Sequence, residues 1–457
     1  MGFVLSILYF ATNYLTPVTL FGPLAAYRIE LIFAVLVLIV SLPKLSQSFI
    51  LKTPQSLALI GLMFAAFMSV LIGQRWITGG AYAVQSFLPQ LLAYFLVCLH
   101  CNTKKRLQAL VAILLFVCLF VIANGYVEQR QGISDSVSLQ ETGMAGRHYS
   151  LSGLNEAGEM QYRLKGQGLI NDPNDFGQLI ACVIPLVFIF WRAKKMLRNL
   201  VFVILPVGIL LFGAYLTHSR GALVGLMAVA VVAARRRTGT LPALVLAGGL
   251  FAAAMALHFT GGREISVDAG ENRTALWGAG LQLLKSHPLF GVGAGSMPDY
   301  AGQTAHNSVV VCAAELGLFG LYFWAMYLLA TVRDALATAS PAKVSEGEPI
   351  VVEEERPFPQ ETQKNETFDK TEISRLGRLM ILSLIGFLVT GWFLSRAFAI
   401  TFFLLGGMIE VVFEMALSRG MIAPRWPLKR LLPYAGVLAV GLVLLMYVSL
   451  LIMNRIH

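Results

Sequence analysis

Charge is scarce in this chain. Asp, Glu, Lys and Arg make up 13% of its 457 residues, against 57% hydrophobic ones, whereas soluble domains are roughly one-quarter charged. With a mean hydropathy of +0.70, a soluble globular fold is excluded and a polytopic membrane protein is indicated. Alternation is missing as well: the apolar runs are continuous, unlike barrel strands, whose residues alternate between lipid and lumen. No internal repeat of the kind that builds many carriers is detectable. Cysteine is sparse, at five residues. Cys98, Cys118, Cys182 and Cys312 lie inside apolar runs, where a thiol serves as a small hydrophobe, and the C-x-x-C of Cys98 and Cys101 has no second pair to complete a metal or redox site. The first apolar segment lacks a basic stretch before it and a small-residue cleavage site, so it is expected to stay as an anchor rather than be removed as a signal peptide.

What the sequence has in abundance is long apolar runs. A helix needs about 20 such residues to cross the hydrocarbon core, and spans are expected near 3–20, 29–42, 55–73, 82–100, 107–126, 174–191, 199–217, 221–234, 241–258, 306–331, 379–395, 397–418 and 431–453. The fold class is therefore all-α, a polytopic membrane protein of about 12–13 transmembrane helices. The cations between the runs set a sidedness. With Met1 inside, the inner connections collect Lys44, Lys52, Lys104, Lys105, Arg106, Arg192, Lys194, Lys195, Arg198, Arg235, Arg236, Arg237, Arg425, Lys429 and Arg430, while the outer ones hold scattered Arg28, Arg75, Arg130, Arg220, Arg273 and Arg396. The formal charge of +10 is then topogenic and a contact to anionic lipid headgroups. Nucleic acid is not an expected partner, because Arg235 to Arg237 sit in a tight turn without interleaved aromatics.

On this reading the chain divides into N-terminal helices (1–126), an outer loop (127–173), helices carrying a turn at Arg220 (174–258), a second outer loop (259–305), one helix starting at His306 (306–331), an inner insert (332–378) and C-terminal helices (379–457). The insert carries Glu353 to Glu355 and four prolines, Pro341, Pro349, Pro357 and Pro359, and reads as solvated and disordered. Its Asn365-Glu366-Thr367 matches a glycosylation sequon by chance.

Polar residues at the ends of apolar runs carry the chemistry. In Asn171-Asp172-Pro173-Asn174-Asp175, Asp172 suits a helix N-cap, Pro173 the first helical position and Asp175 a capping box; a metal would need more ligands than lie nearby. Gly291-Val292-Gly293-Ala294-Gly295 follows no buried strand and opens no βαβ unit, so it suits a tight backbone path against the next helix rather than a nucleotide. Arg220, in His218-Ser219-Arg220-Gly221, stands between two apolar helices joined by almost nothing. Its guanidinium either snorkels to lipid phosphate or holds an anionic partner. Arg273 follows the acidic stretch Asp268 to Glu271, so a local salt bridge to Glu271 is the alternative to a ligand. It precedes a short amphipathic segment, Thr274 to Lys285, with Leu276, Trp277, Leu281 and Leu284 on its apolar face, expected along the outer interface with Trp277 as anchor. His306 enters the long helix ahead of Asn307 and Glu315. A helix N-terminus disfavours imidazolium and keeps the ring able to accept a proton, and a carboxylate inside a span faces a polar interior.

Taken together, Asn171-Asp172-Pro173-Asn174, Ser219-Arg220-Gly221, Arg273 with Trp277, His287-Pro288-Leu289-Phe290-Gly291-Val292-Gly293, and Ala305-His306-Asn307 with Glu315, Gly317 and Gly320 resemble, in order and spacing, the bacterial O-antigen ligase and polymerase superfamily. The resemblance covers about 170–320; the first 160 residues and the last hundred match only as hydrophobic helices. It implies a membrane glycosyltransferase of the bacterial inner membrane with its site facing the periplasm. The donor would be a glycan on undecaprenyl diphosphate and the acceptor a hydroxyl of lipid A core, of another glycan, or of a protein. Arg220 and Arg273 would bind the diphosphate, His306 would act as base, and Ser219, Asn307 and Glu315 would support them. The transfer would be inverting, without metal or cofactor. The acceptor half is expected in the outer loops 127–173 and 259–305. The alternative from another class is a secondary transporter, which the clustering of polar residues at one face rather than the bilayer midplane disfavours.

Overall fold

The computed structural model describes residues 1–17, 27–46, 49–130, 149–154, 160–257, 259, 267–340 and 370–456. Each of the expected apolar segments coincides with a helix. Among the described residues nine helices are long and apolar enough to cross a membrane, and two shorter apolar ones, Gly2–Leu15 and Thr240–Ala256, accompany them. The chain is an all-α polytopic membrane protein. One antiparallel hairpin, Tyr149–Leu154 with Met160–Leu164, lies in the connection 127–173, where no strand is expected. The 341–369 part of the insert, with its acidic run, prolines and sequon, lies outside the described residues, as do 131–148, 155–159 and 260–266 in the connections 127–173 and 259–305.

The chain forms two compact units, each assembled from separated stretches. One comprises Met1–Ser46, Leu99–Glu264 and Leu379–Thr390, the other Gln47–Cys98, Ile265–Arg378 and Gly391–His457. In the first unit the helix Pro173–Val187 is the core, buried at every position from Asp175 to Val187. It packs on Lys104–Arg130, Leu205–Leu216 and Arg220–Thr238. Gly177 allows the last of these approaches, since a Cβ there would lie 2.6 Å from that of Ala222. Arg220–Thr238 carries Arg220 at its start and Arg235, Arg236 and Arg237 in its last turn, so Arg220 and this cluster stand at opposite ends of one helix.

In the second unit the centre is Ser308–Ala339, which packs on Pro54–Gly73, Val267–Ser286, Ile400–Leu417 and Leu428–Ile456. It extends past the expected end at 331, and it is broken at Gly317 (φ 66°, ψ −167°). A break inside a span leaves backbone groups without intrahelical partners, which is costly away from water. Here the segment 288–293 supplies them: Leu318 and Phe319 N–H donate to the carbonyls of Pro288 (2.8 Å) and Leu289 (3.1 Å), and Val292 and Gly293 N–H donate to those of Ala314 (3.0 Å) and Glu315 (3.1 Å). Gly291 and Gly317 at this crossing both have left-handed φ, and a Cβ on either would collide with the facing backbone. The glycine-rich motif is thus a backbone path against the helix, as its sequence indicates.

Near the other end of Ser308–Ala339 a buried ionic cluster joins four segments. Arg425 contacts Glu410 (2.5 Å), Glu414 (2.9 Å) and Asp334 (3.3 Å), Arg333 pairs with Asp334 (2.8 Å), and Gln55 Nε2 donates to Asp334 (2.7 Å). Arg425, expected as a topogenic cation, is a packing element.

Candidate active site

The first unit builds the Arg220 turn. The helix Leu205–Leu216 ends at Thr217, His218 adopts φ 46°, and Ser219 caps the next helix by accepting from Ala222 N–H (3.2 Å). Arg220 is therefore the first residue of that helix. A helix N-terminus already carries partial positive charge, so a guanidinium there adds to the field rather than cancelling it, and the pair attracts an anion. Half-buried Arg220 stands on a turn that is fixed from below. Ser219 Oγ donates to Asn174 Oδ1 (2.9 Å), and the same oxygen accepts from Arg163 Nη2 (2.9 Å). Arg163 Nε donates to the Thr217 carbonyl (2.8 Å), and His218 Nδ1 lies 3.0 Å from the Phe259 carbonyl. Asp172 is the N-cap, accepting from Asn174 N–H (2.7 Å), with Pro173 at the first helical position. The Asn171–Asp175 motif is a cap whose Asn174 side chain locks the Ser219 turn. Arg163, 6% exposed, has no counterpart in the sequence reading; its only signal is the short alternation Met160 to Leu164.

The second unit brings Arg273, Trp277, His306 and Asn307 together. Arg273 and Trp277 lie on the amphipathic helix, which spans Val267–Ser286. Leu276, Trp277 and Leu284 are buried, against the helix Ser308–Ala339 and its neighbours. Trp277 is thus not an interfacial anchor: its Nε1 donates to the Ala305 carbonyl (2.9 Å) and its ring meets Trp392 edge to face at 5.9 Å. The apolar face that the sequence assigns to lipid is taken up by protein. Arg273 is exposed, and its guanidinium lies 6.0 Å from the centre of the Phe393 ring. The Glu271 side chain, the alternative partner, lies outside the described residues.

His306 precedes the cap instead of opening the helix. Asn307 is the N-cap, its Oδ1 accepting from Val309 (2.9 Å) and Val310 (3.1 Å) N–H. Its Nδ2 donates to the Trp392 carbonyl (3.0 Å). One residue earlier, His306 takes the left-handed conformation (φ 49°), which costs a non-glycine residue about 1 kcal/mol, and its N–H donates to Ser395 Oγ (2.9 Å). The residue is exposed. Ser308 Oγ donates to the Leu394 carbonyl (2.7 Å) and accepts from Arg396 N–H (3.0 Å). Glu315 is used differently: its carboxylate accepts from Gly295 (2.9 Å) and Met297 (3.3 Å) N–H, holding the glycine loop that Gln74 fastens further through Ser296. Ser219 and Arg220 belong to the first unit, and Arg273, His306, Asn307 and Glu315 to the second.

Guanidinium groups and an imidazole of this kind can bind an anion and transfer a proton. Among the described residues no group of three or more His, Cys, Asp and Glu is placed to hold a metal ion. Residues 205–325 match the model of a family described as O-antigen ligase. The match includes Ser219, Arg220, Arg273, His306, Asn307 and Glu315, and over this stretch it bears out the resemblance to the O-antigen ligase and polymerase superfamily. No curated protein matches the chain.

Proposed function

We propose that this membrane protein, a glycosyltransferase of the ligase and polymerase type by its O-antigen ligase segment, transfers a glycan from undecaprenyl diphosphate to an acceptor hydroxyl at the periplasmic face of the bacterial inner membrane. In the ligase form the acceptor is lipid A core. The acceptor oxygen attacks the anomeric carbon, its proton passes to a ring nitrogen of His306, and the sugar–phosphate bond breaks with its electron pair leaving on the diphosphate. Direct displacement inverts the anomeric centre. Arg273 and Arg220 meet the negative charge on the diphosphate with paired hydrogen bonds, a role for which the planar guanidinium is suited and which a metal fills in other enzymes. No energy source beyond the donor is required.

The observation that carries this reading is the presentation of His306, an exposed residue in a left-handed turn held by hydrogen bonds at Ala305, at its own N–H and at Asn307, inside the stretch that matches the family. General-base contributions are commonly about 10²- to 10⁴-fold. Replacement of His306 by Ala is therefore expected to lower transfer by that order in purified protein of unchanged elution volume, and near-wild-type transfer would exclude the role. Loss of core-attached glycan in a deletion strain supports the ligase form. Loss of long chains with single repeats retained indicates the polymerase form instead.

A further inference from the structure

We infer that Trp392–Arg396, a segment outside the stretch that matches the family, is a positioning element for transfer, with Ser395 setting His306 and Phe393 setting Arg273. The inference rests on the roles given above to those two residues. The segment follows the helix Lys370–Gly391 and precedes Ile400–Leu417. As a connection between two membrane helices it could have been a bare turn. Instead its polar groups are spent on one neighbour. The Ser395 hydroxyl accepts from the His306 N–H, the Trp392 carbonyl accepts from Asn307 Nδ2, and Ser308 Oγ is shared between the Leu394 carbonyl and the Arg396 N–H.

One of these contacts is made to His306 itself, through its backbone N–H, and Phe393 makes a further one to Arg273. His306 has a backbone conformation that non-glycine residues rarely adopt, and such conformations persist only where the surroundings over-determine them. Asn307 and Ser308 fix the chain after the histidine, and Ser395 fixes its own N–H. The hydroxyl therefore decides where the imidazole points without touching it. Phe393 acts on the other group. Arg273 lies on a different helix, and the Phe393 ring beneath its guanidinium restricts where that charge can sit. Trp392 closes the arrangement by packing on Trp277, one helical turn from Arg273. Five consecutive residues thus tie the proposed base and a proposed phosphate ligand to one rigid strip.

The two contacts carry separate signatures. Loss of the Ser395 hydroxyl misplaces the base, so Ser395→Ala is expected to lower kcat about 10- to 100-fold with the KM for donor unchanged, and Ser395→Thr, which keeps the hydroxyl, to restore it. Loss of the ring beneath Arg273 weakens donor binding, so Phe393→Leu is expected to raise the Kd for undecaprenyl diphosphate about three- to fivefold while kcat is kept. A merely structural segment would lower both parameters together in proportion to the protein folded. Proportional loss, wild-type behaviour in both variants, or failure of Thr to rescue would overturn the inference. If Ser395→Ala does not fold, Ser395→Cys gives the same comparison with Thr. His306→Ala is measured alongside: if it is inactive while the two variants show no split, only the positioning role fails, whereas if it is active the transfer reading itself fails.

Discussion

Arg163 and Arg220 carry the same functional group to different ends. Arg163 is buried and spends its guanidinium on Asn174 and the Thr217 carbonyl; Arg220 stands at the first position of a helix on the turn so fixed. Arg220→Lys keeps the charge and loses the fork, so transfer is expected to fall at least about tenfold, read as initial rate at saturating acceptor. Arg163→Met removes two charge-assisted hydrogen bonds and is expected to destabilise the protein by about 2–3 kcal/mol, seen as a lower thermal midpoint in detergent. The legibility of these residues follows from where their partners lie. Arg220, Arg273 and His306 are visible in the sequence because a polar group at the end of an apolar run is conspicuous. Arg163 and Ser395 are not, because Arg163 bonds residues 11 and 54 positions away and Ser395 one 89 positions away, and nothing local marks a side chain that bonds at such separation.

At the level of elements, the positions of the helices follow from hydropathy, which is why every expected run coincides with one. Hydropathy cannot register the break at Gly317, since the apolar pattern continues across it and the freed backbone groups are satisfied by the 288–293 segment. The glycine-rich motif pointed to a close approach but not to the helix interior as its partner. Gly317→Ala and Gly291→Ala each place a Cβ against backbone, and loss of folded, membrane-inserted protein is expected for both. Gly278, in the amphipathic helix with no atom within 4 Å of its Cβ position, is the matching control: Gly278→Ala is expected to be neutral or stabilising by up to about 1 kcal/mol. Glu315 belongs to this element-level framework, and Glu315→Ala, which leaves the Gly295 and Met297 N–H groups without their acceptor, is expected to lower the thermal midpoint more than Glu315→Gln.

For the molecule as a whole, scarcity of charge identified the membrane class, and the charges that remain fall into distinct populations. Most cations at the connections are exposed, in keeping with a topogenic role. The cluster of Arg425, Glu410, Glu414, Asp334 and Arg333 is buried among aromatic rings, with Arg425 4.4 Å from the centre of Phe413 and Arg333 5.6 Å from that of Trp426. Burial opposes the charge on Arg425, and the three carboxylates outweigh it and raise its pKa above the ordinary guanidinium value. Removing one member of such a group leaves an uncompensated buried charge. Arg425→Met is accordingly expected to cost about 3–5 kcal/mol of stability while the kcat of the folded fraction stays at the wild-type value, a separation that active-site titration alongside thermal unfolding would show. Sequence could not distinguish this arginine from its topogenic neighbours, because the three acids that hold it are contributed by two different helices. The central claim, that His306 serves as the base in glycan transfer from a lipid diphosphate, is tested most directly by one assay. Purified protein in detergent is mixed with undecaprenyl-diphosphate glycan and lipid A core in the presence of a strong chelator. Product is expected with the wild type and a loss of about 10²-fold or more with His306→Ala; no transfer by the wild type, or equal transfer by both, would contradict the claim.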